Sequence, residues 1–82
     1  MDREIVYKRK VYKQLKKIPR AKQRRILDKI EELAGEVEVG KALQGDLKGF
    51  FSIRIWPFRV IYKFDRKKVI IYSVAHRKEV YR

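Results

Sequence analysis

Cysteine is absent from this 82-residue sequence, so no disulfide or thiolate metal site can staple the fold, and a thiol nucleophile is excluded. Acids are scarce: 10 Asp and Glu stand against 23 Lys and Arg, for a formal net charge of +13. A small domain under that much self-repulsion usually has a polyanion that offsets it. Long apolar runs are missing as well. The opening MDREIVYKRK mixes charged and apolar residues and lacks the apolar core of a signal peptide, and no stretch is long enough to cross a bilayer as a helix. The expectation is a soluble, cytoplasmic protein with no membrane partner. Gly-rich phosphate loops, H-E-x-x-H, G-x-S-x-G and Cys/His metal spacings do not occur. The acids Asp28, Glu31, Glu32 and Glu36 fall on or just after a helical stretch, where they read as ion-pair partners of Arg24, Arg25 and Lys29. Neither a metal nor a cofactor is expected.

What is present suffices for one folded domain spanning 1–82. Hydrophobic residues make up 45% and aromatics 12% of the chain, enough for a single thin core. The excess positive charge lies at the two ends, +5 over residues 1–18 and +7 over 50–82. Ile5, Val6 and Tyr7 predict a short first strand. Val11, Leu15 and Ile18 repeat at helical spacing and are stopped by Pro19. Ile26, Leu27, Ile30, Leu33 and Ala34 predict a second helix from about Arg20, closing at Gly35. Gly40, Gly45 and Gly49 punctuate a loop, after which FFSIRIW, FRVIYKF and KVIIYSVA read as three strands with short connections. The predicted fold class is α+β: an N-terminal strand, a helical hairpin, then a three-stranded antiparallel meander, in the order β-α-α-β-β-β, with the hairpin on one sheet face.

A two-residue turn at Trp56-Pro57 sets Arg54 directly across from Arg59. Like charges so placed repel, which suggests an anion between them on the face away from the helices. The other face reads Phe51, Ile53, Ile55, Phe58, Val60, Tyr62 and Phe64 and is a core stripe. The chain closes on His76-Arg77-Lys78-Glu79-Val80-Tyr81-Arg82. His76 is the only histidine and titrates near neutrality when unperturbed, and Tyr81 offers a phenol. With Arg54 and Arg59 these groups could form a metal-free phosphate site with acid/base groups, as RNA cleavage by its own 2′-hydroxyl requires. Arg20, Lys22, Arg24 and Arg25 crowd the start of the second helix, where the dipole disfavours cations. A polyanion, or ion pairs to Asp28 and Asp2, would compensate.

Taken together, YKQLKKIPRAKQRRILDKIEEL, KALQGDLKGFFSIRI, FRVIYKF and VIIYSVAHRKEVY, in this order and spacing, resemble the RelE/ParE superfamily of toxin–antitoxin systems over nearly the whole chain. The resemblance to its RelE branch implies a toxin that cleaves mRNA in the ribosomal A site and is held by a cognate acidic antitoxin. Arg59 would steady the scissile phosphate, Arg77 assist the leaving group, Tyr81 act as base and Arg54 stabilise charge. His76 is a substitute acid/base group, since some relatives use a C-terminal histidine. Lys13, Lys17, Arg20, Arg24, Lys48, Lys63 and Lys78 would extend the RNA-contacting surface. Ser52 stands where the best-known members carry a further cation, and the Arg77-to-Tyr81 spacing is two residues shorter than theirs. The alternatives are a ParE-like, non-enzymatic DNA gyrase inhibitor or a catalytically inactive RNA-binding relative.

Overall fold

The computed structural model describes residues 2–80, apart from the side chains of 79 and 80; Tyr81 lies outside the described residues. Strand β1 covers Glu4–Tyr7, helix α1 Arg9–Lys16 and helix α2 Arg20–Glu32. A two-residue strand β2, Lys41–Ala42, leads to β3 (Phe51–Ile55), β4 (Phe58–Phe64) and β5 (Lys68–His76), and a last turn of helix, α3, spans Arg77–Val80. The predicted α+β order is present. The sheet order is β1-β5-β4-β3-β2, so the expected meander is flanked by β1, which runs parallel to β5, and by β2, which the sequence did not announce.

The helical periodicity is realised as burial. Val11, Ile26, Ile30 and Leu33 are fully buried and Ile18 nearly so, against Val60, Tyr62, Val69, Ile71 and Val74 of the sheet. Pro19 stands just before α2 in an extended conformation, as a residue without an N–H can at a helix start. The hairpin is closed by Gln23, whose Nε2 donates to the carbonyls of Leu15 (2.6 Å) and Ile18 (2.9 Å) at the end of α1, the first of which also accepts the Ile18 N–H (3.0 Å). Helix α2 gives way at Leu33, two residues before Gly35. Of the compensating ion pairs expected at its start, Arg24–Asp28 forms at 3.9 Å with both side chains exposed, a pair worth at most about 1 kcal/mol. Asp2 instead lies beside Gly35, at the far end of the helix.

The β4–β5 turn is held by Asp65, whose Oδ1 accepts the N–H groups of Lys67 (2.7 Å) and Lys68 (2.8 Å). These two backbone donors favour the carboxylate and lower its pKa below the ordinary 3.8. A depressed carboxyl pKa stabilises the fold above the ordinary aspartate range and the contribution is lost as pH falls through the depressed value. Wild type is therefore expected to lose urea resistance on acidification below pH ~4 more steeply than Asp65→Asn. Parallel midpoints for the two proteins across that range would show that Asp65 contributes nothing to acid lability.

Candidate phosphate site on the open sheet face

The β3–β4 register pairs Arg54 with Arg59 directly, between Ile53/Val60 and Ile55/Phe58. Side chains alternate across a strand, so both arginines leave the face opposite to the buried Val60 and Tyr62. Arg59 is half-buried, and its Nη1 reaches the hydroxyl of buried Ser52 at 3.5 Å. Arg54 is exposed. Because β2 pairs only with Phe51 and Ser52, Arg54 sits past the covered part of the β3 edge, and it borders clefts containing Asp28, Lys29, Glu32 and Glu36 from α2 and its following turn. The expectation that the pair stands clear of the helical hairpin therefore needs correction on the Arg54 side: at an edge strand, a long side chain meets the helix layer that packs against the sheet.

The C-terminal residues part company where β5 ends and α3 begins. Arg77 is carried to the β3–β4 turn, where its backbone N–H donates to the Pro57 carbonyl (2.9 Å) and its guanidinium lies 4.6 Å from the centre of the Trp56 ring. Trp56 is 54% exposed, so the indole gives Arg77 an apolar, π-bearing platform at the surface. His76 pairs with Phe58 in the ladder, packs edge-on to its ring at 5.7 Å and shares a cleft with Gln14, Lys17 and Ile18. It thus belongs to the helix face, opposite Arg54 and Arg59. Its Nδ1 accepts the Lys78 N–H at 3.3 Å. The structure brings Arg54, Arg59 and Arg77 to one hairpin and leaves His76 behind the sheet from the first two.

The remaining cations fall into separate groups. Lys13, Lys17, Arg20 and Arg24 are exposed on the helical layer, Arg20 and Arg24 around a cleft with Leu27. Lys48 is exposed before β3, and Lys78 is exposed on α3. Lys63 shares the arginine face and stands over Phe50, its Nζ 5.4 Å from the ring centre. Sequence reasoning passed over Trp56 as a platform for Arg77, and over an aromatic pair on the open face, Phe50 and Tyr72, with centroids 4.8 Å apart. The alternation of Phe50 with Ser52 and Arg54 was a signal for the first ring; nothing local signalled the second. Among the described residues, no three His, Asp or Glu side chains gather where a metal ion could be held, and no helix is long and apolar enough to cross a membrane.

Comparison with known proteins bears on the family and the fold. Residues 5–81 match the family described as the ParE toxin of type II toxin-antitoxin systems, parDE. The chain is similar to Toxin RelG of Mycobacterium tuberculosis, 40% identical over 48 residues, a match spanning 56% of this chain and only about half, 55%, of that protein. It resembles a chain of the toxin–antitoxin complex RelBE2 of M. tuberculosis, with a TM-score of 0.86 and 27% identity over 94% of this chain and 100% of that one. A chain of the archaeal RelE–RelB complex of Pyrococcus horikoshii gives a TM-score of 0.74 and 26% identity over 98% and 100%. A strand, a helical hairpin and a sheet of this order, matched along almost its whole length, make this chain a member of the RelE/ParE superfamily of type II toxin–antitoxin toxins.

Proposed function

We propose that this protein is a ribosome-dependent endoribonuclease that cleaves mRNA in the ribosomal A site, and that an acidic cognate antitoxin restrains it in the cytoplasm. The observation that carries the reading is the in-register Arg54–Arg59 pair, with Arg77 anchored at the turn that joins their strands. Three guanidinium groups around one hairpin suit an anion whose charge grows during reaction. In the proposed chemistry the 2′-hydroxyl gives up its proton to a base as its oxygen bonds to phosphorus, the bond to the 5′-oxygen breaks, and that oxygen takes a proton from water, giving a cyclic phosphate and a 5′-hydroxyl. Arg59 steadies the phosphate, Arg54 adds charge, and Arg77 supports the departing oxygen. Guanidinium cannot serve as base, because it keeps its proton. That task falls to Tyr81 or to a group of the ribosome, since His76 packs on Phe58 on the opposite face from Arg54 and Arg59. No metal ion has a part in the scheme. The solved relatives cited above are complexes with antitoxins, and the +13 charge of this chain fits an acidic partner that both steers to it and screens it.

The test is primer extension on translating ribosomes with purified protein, with and without EDTA. Cuts within A-site codons in both conditions are expected, with free RNA cut poorly. A second reading follows from the family description, which names a ParE toxin: inhibition of DNA gyrase without chemistry. Uncut messages together with loss of gyrase supercoiling would replace the nuclease reading with that one.

A further inference from the structure

Beside Arg59 the open face of the sheet carries a slot that the phosphate chemistry leaves unused. In the β4–β5 ladder Ile61 pairs with Ser73 but Tyr62 pairs with Ile71, so Tyr72 is an extra residue in β5. Such a bulge re-aims side chains. Here the buried positions step from Ile71 to Val74, and Tyr72 and Ser73 between them are only half-buried. Tyr72 meets Phe50 edge to face at 4.8 Å. The two rings, with Ile61 and the 41% exposed Leu47, line a cleft of about 390 Å³, within the size range of ligand-binding pockets.

Its electrostatics are one-sided. Lys8 places its Nζ 5.2 Å from the Tyr72 ring centre and Lys63 its Nζ 5.4 Å from that of Phe50. Lys10 also borders the cleft, and among the described residues no carboxylate does. At one wall Gln14 accepts the Val74 N–H (2.7 Å) and donates to the Ser73 hydroxyl (3.2 Å), an arrangement that leaves the Ser73 O–H able to donate. Ala75, also on the cleft, is the direct ladder partner of Arg59, and Ile61 lies two residues along β4 from it. The slot therefore opens beside the guanidinium proposed to hold the phosphate. A flat, apolar-faced group on an anionic backbone matches an aromatic slot ringed by ammonium groups.

We propose that this slot is a nucleobase subsite for single-stranded RNA. The base adjoining the phosphate at Arg59 stacks on Tyr72, Lys8 and Lys63 meet neighbouring phosphates, and Ser73 donates to the base edge. The inference rests on the RNA-directed reading above. Its test is fluorescence anisotropy with the complete protein, off the ribosome, using a short single-stranded RNA carrying a 2′-O-methyl group at the scissile nucleotide, and a second RNA abasic at the adjoining position. Wild type is expected to bind the intact RNA about 5- to 150-fold more tightly than the abasic one. Tyr72→Leu should bring that ratio close to one, and Tyr72→Trp should keep it, with circular dichroism melts confirming that each variant folds. Arg59→Ala should weaken both RNAs alike and preserve the ratio. A wild-type ratio near one, or a ratio that Tyr72→Leu leaves unchanged, overturns the subsite. So does competition for the slot by an apolar, acidic peptide when neither RNA binds, which would make a protein its occupant. Base-dependent binding without mRNA cleavage on ribosomes would refute the nuclease and keep the subsite, whereas cleavage without base-dependent binding would do the reverse.

Discussion

Arg59→Ala and Arg77→Ala are each expected to lower ribosome-dependent mRNA cleavage by about 10²–10³-fold, the usual cost of removing one preorganised donor from a developing oxyanion. The two should relieve growth arrest while leaving thermal unfolding near that of wild type. Arg77 is exposed, and its anchoring to Pro57 runs through the backbone, which the substitution preserves. Arg59 is half-buried on a partly open face, and its contact with the Ser52 hydroxyl is at the long limit of a hydrogen bond. Arg59→Lys separates charge from geometry, since an ammonium keeps the charge but loses the planar fork, and partial activity is expected. His76→Ala should cost far less than Arg59→Ala, because His76 packs on Phe58 behind the sheet. Tyr81→Phe tests the phenol. If cleavage survives both arginine-to-alanine changes at wild-type rate, the phosphate site lies elsewhere.

The largest expected loss of stability is at Tyr62. Its ring is fully buried, its hydroxyl donates to the Val37 carbonyl at 2.6 Å, and it accepts the Gly40 N–H at 3.1 Å. One side chain thus ties the loop after α2 to the centre of the sheet. Tyr62→Ala is expected to cost about 3–5 kcal/mol, the range for emptying an aromatic site. Tyr62→Phe should cost about 1–3 kcal/mol for two buried polar groups left without their partner. A domain of this size has a total stability of roughly 4–12 kcal/mol, so the alanine variant removes much of it. Gly40→Ala strikes the same tie from the other side, because a Cβ there would collide with the Tyr62 hydroxyl and lie 3.0 Å from the Ser52 carbonyl oxygen. Burial raises the Tyr62 pKa above the ordinary 10.0. Its contribution is therefore complete below pH ~10 and is lost as pH rises from there through the raised value. Urea midpoints of the three variants check the order, and a Tyr62→Phe protein as stable as wild type would mean that water replaces the hydroxyl.

Much of the fold was legible because it is written in local periodicity. Val11 and Ile18, then Ile26, Ile30 and Leu33, repeat at helical spacing and are buried. Pro19 separates the helices as a residue lacking an N–H must. The Arg54–Arg59 pairing followed from counting two residues in the Trp56-Pro57 turn. Strand β2 escaped notice because two residues carry no periodicity.

The sequence by itself determined the element types, the shared face of Arg54 and Arg59, and the surplus of positive charge, because each depends on neighbours in the chain or on composition alone. Tertiary structure decided which distant pieces meet. The parallel seating of β1 beside β5 joins Glu4 to Lys68, a pairing whose loop-closure cost is met only by non-local core contacts. The bulge at Tyr72 arises from the mismatch between two strands rather than from either one. His76 and Arg77 are adjacent in sequence, yet one packs on the helix face and the other on Trp56, because the strand ends between them and α3 begins. Only the packed sheet, with α2 along one edge and Trp56 at its turn, settled which charged groups share a surface.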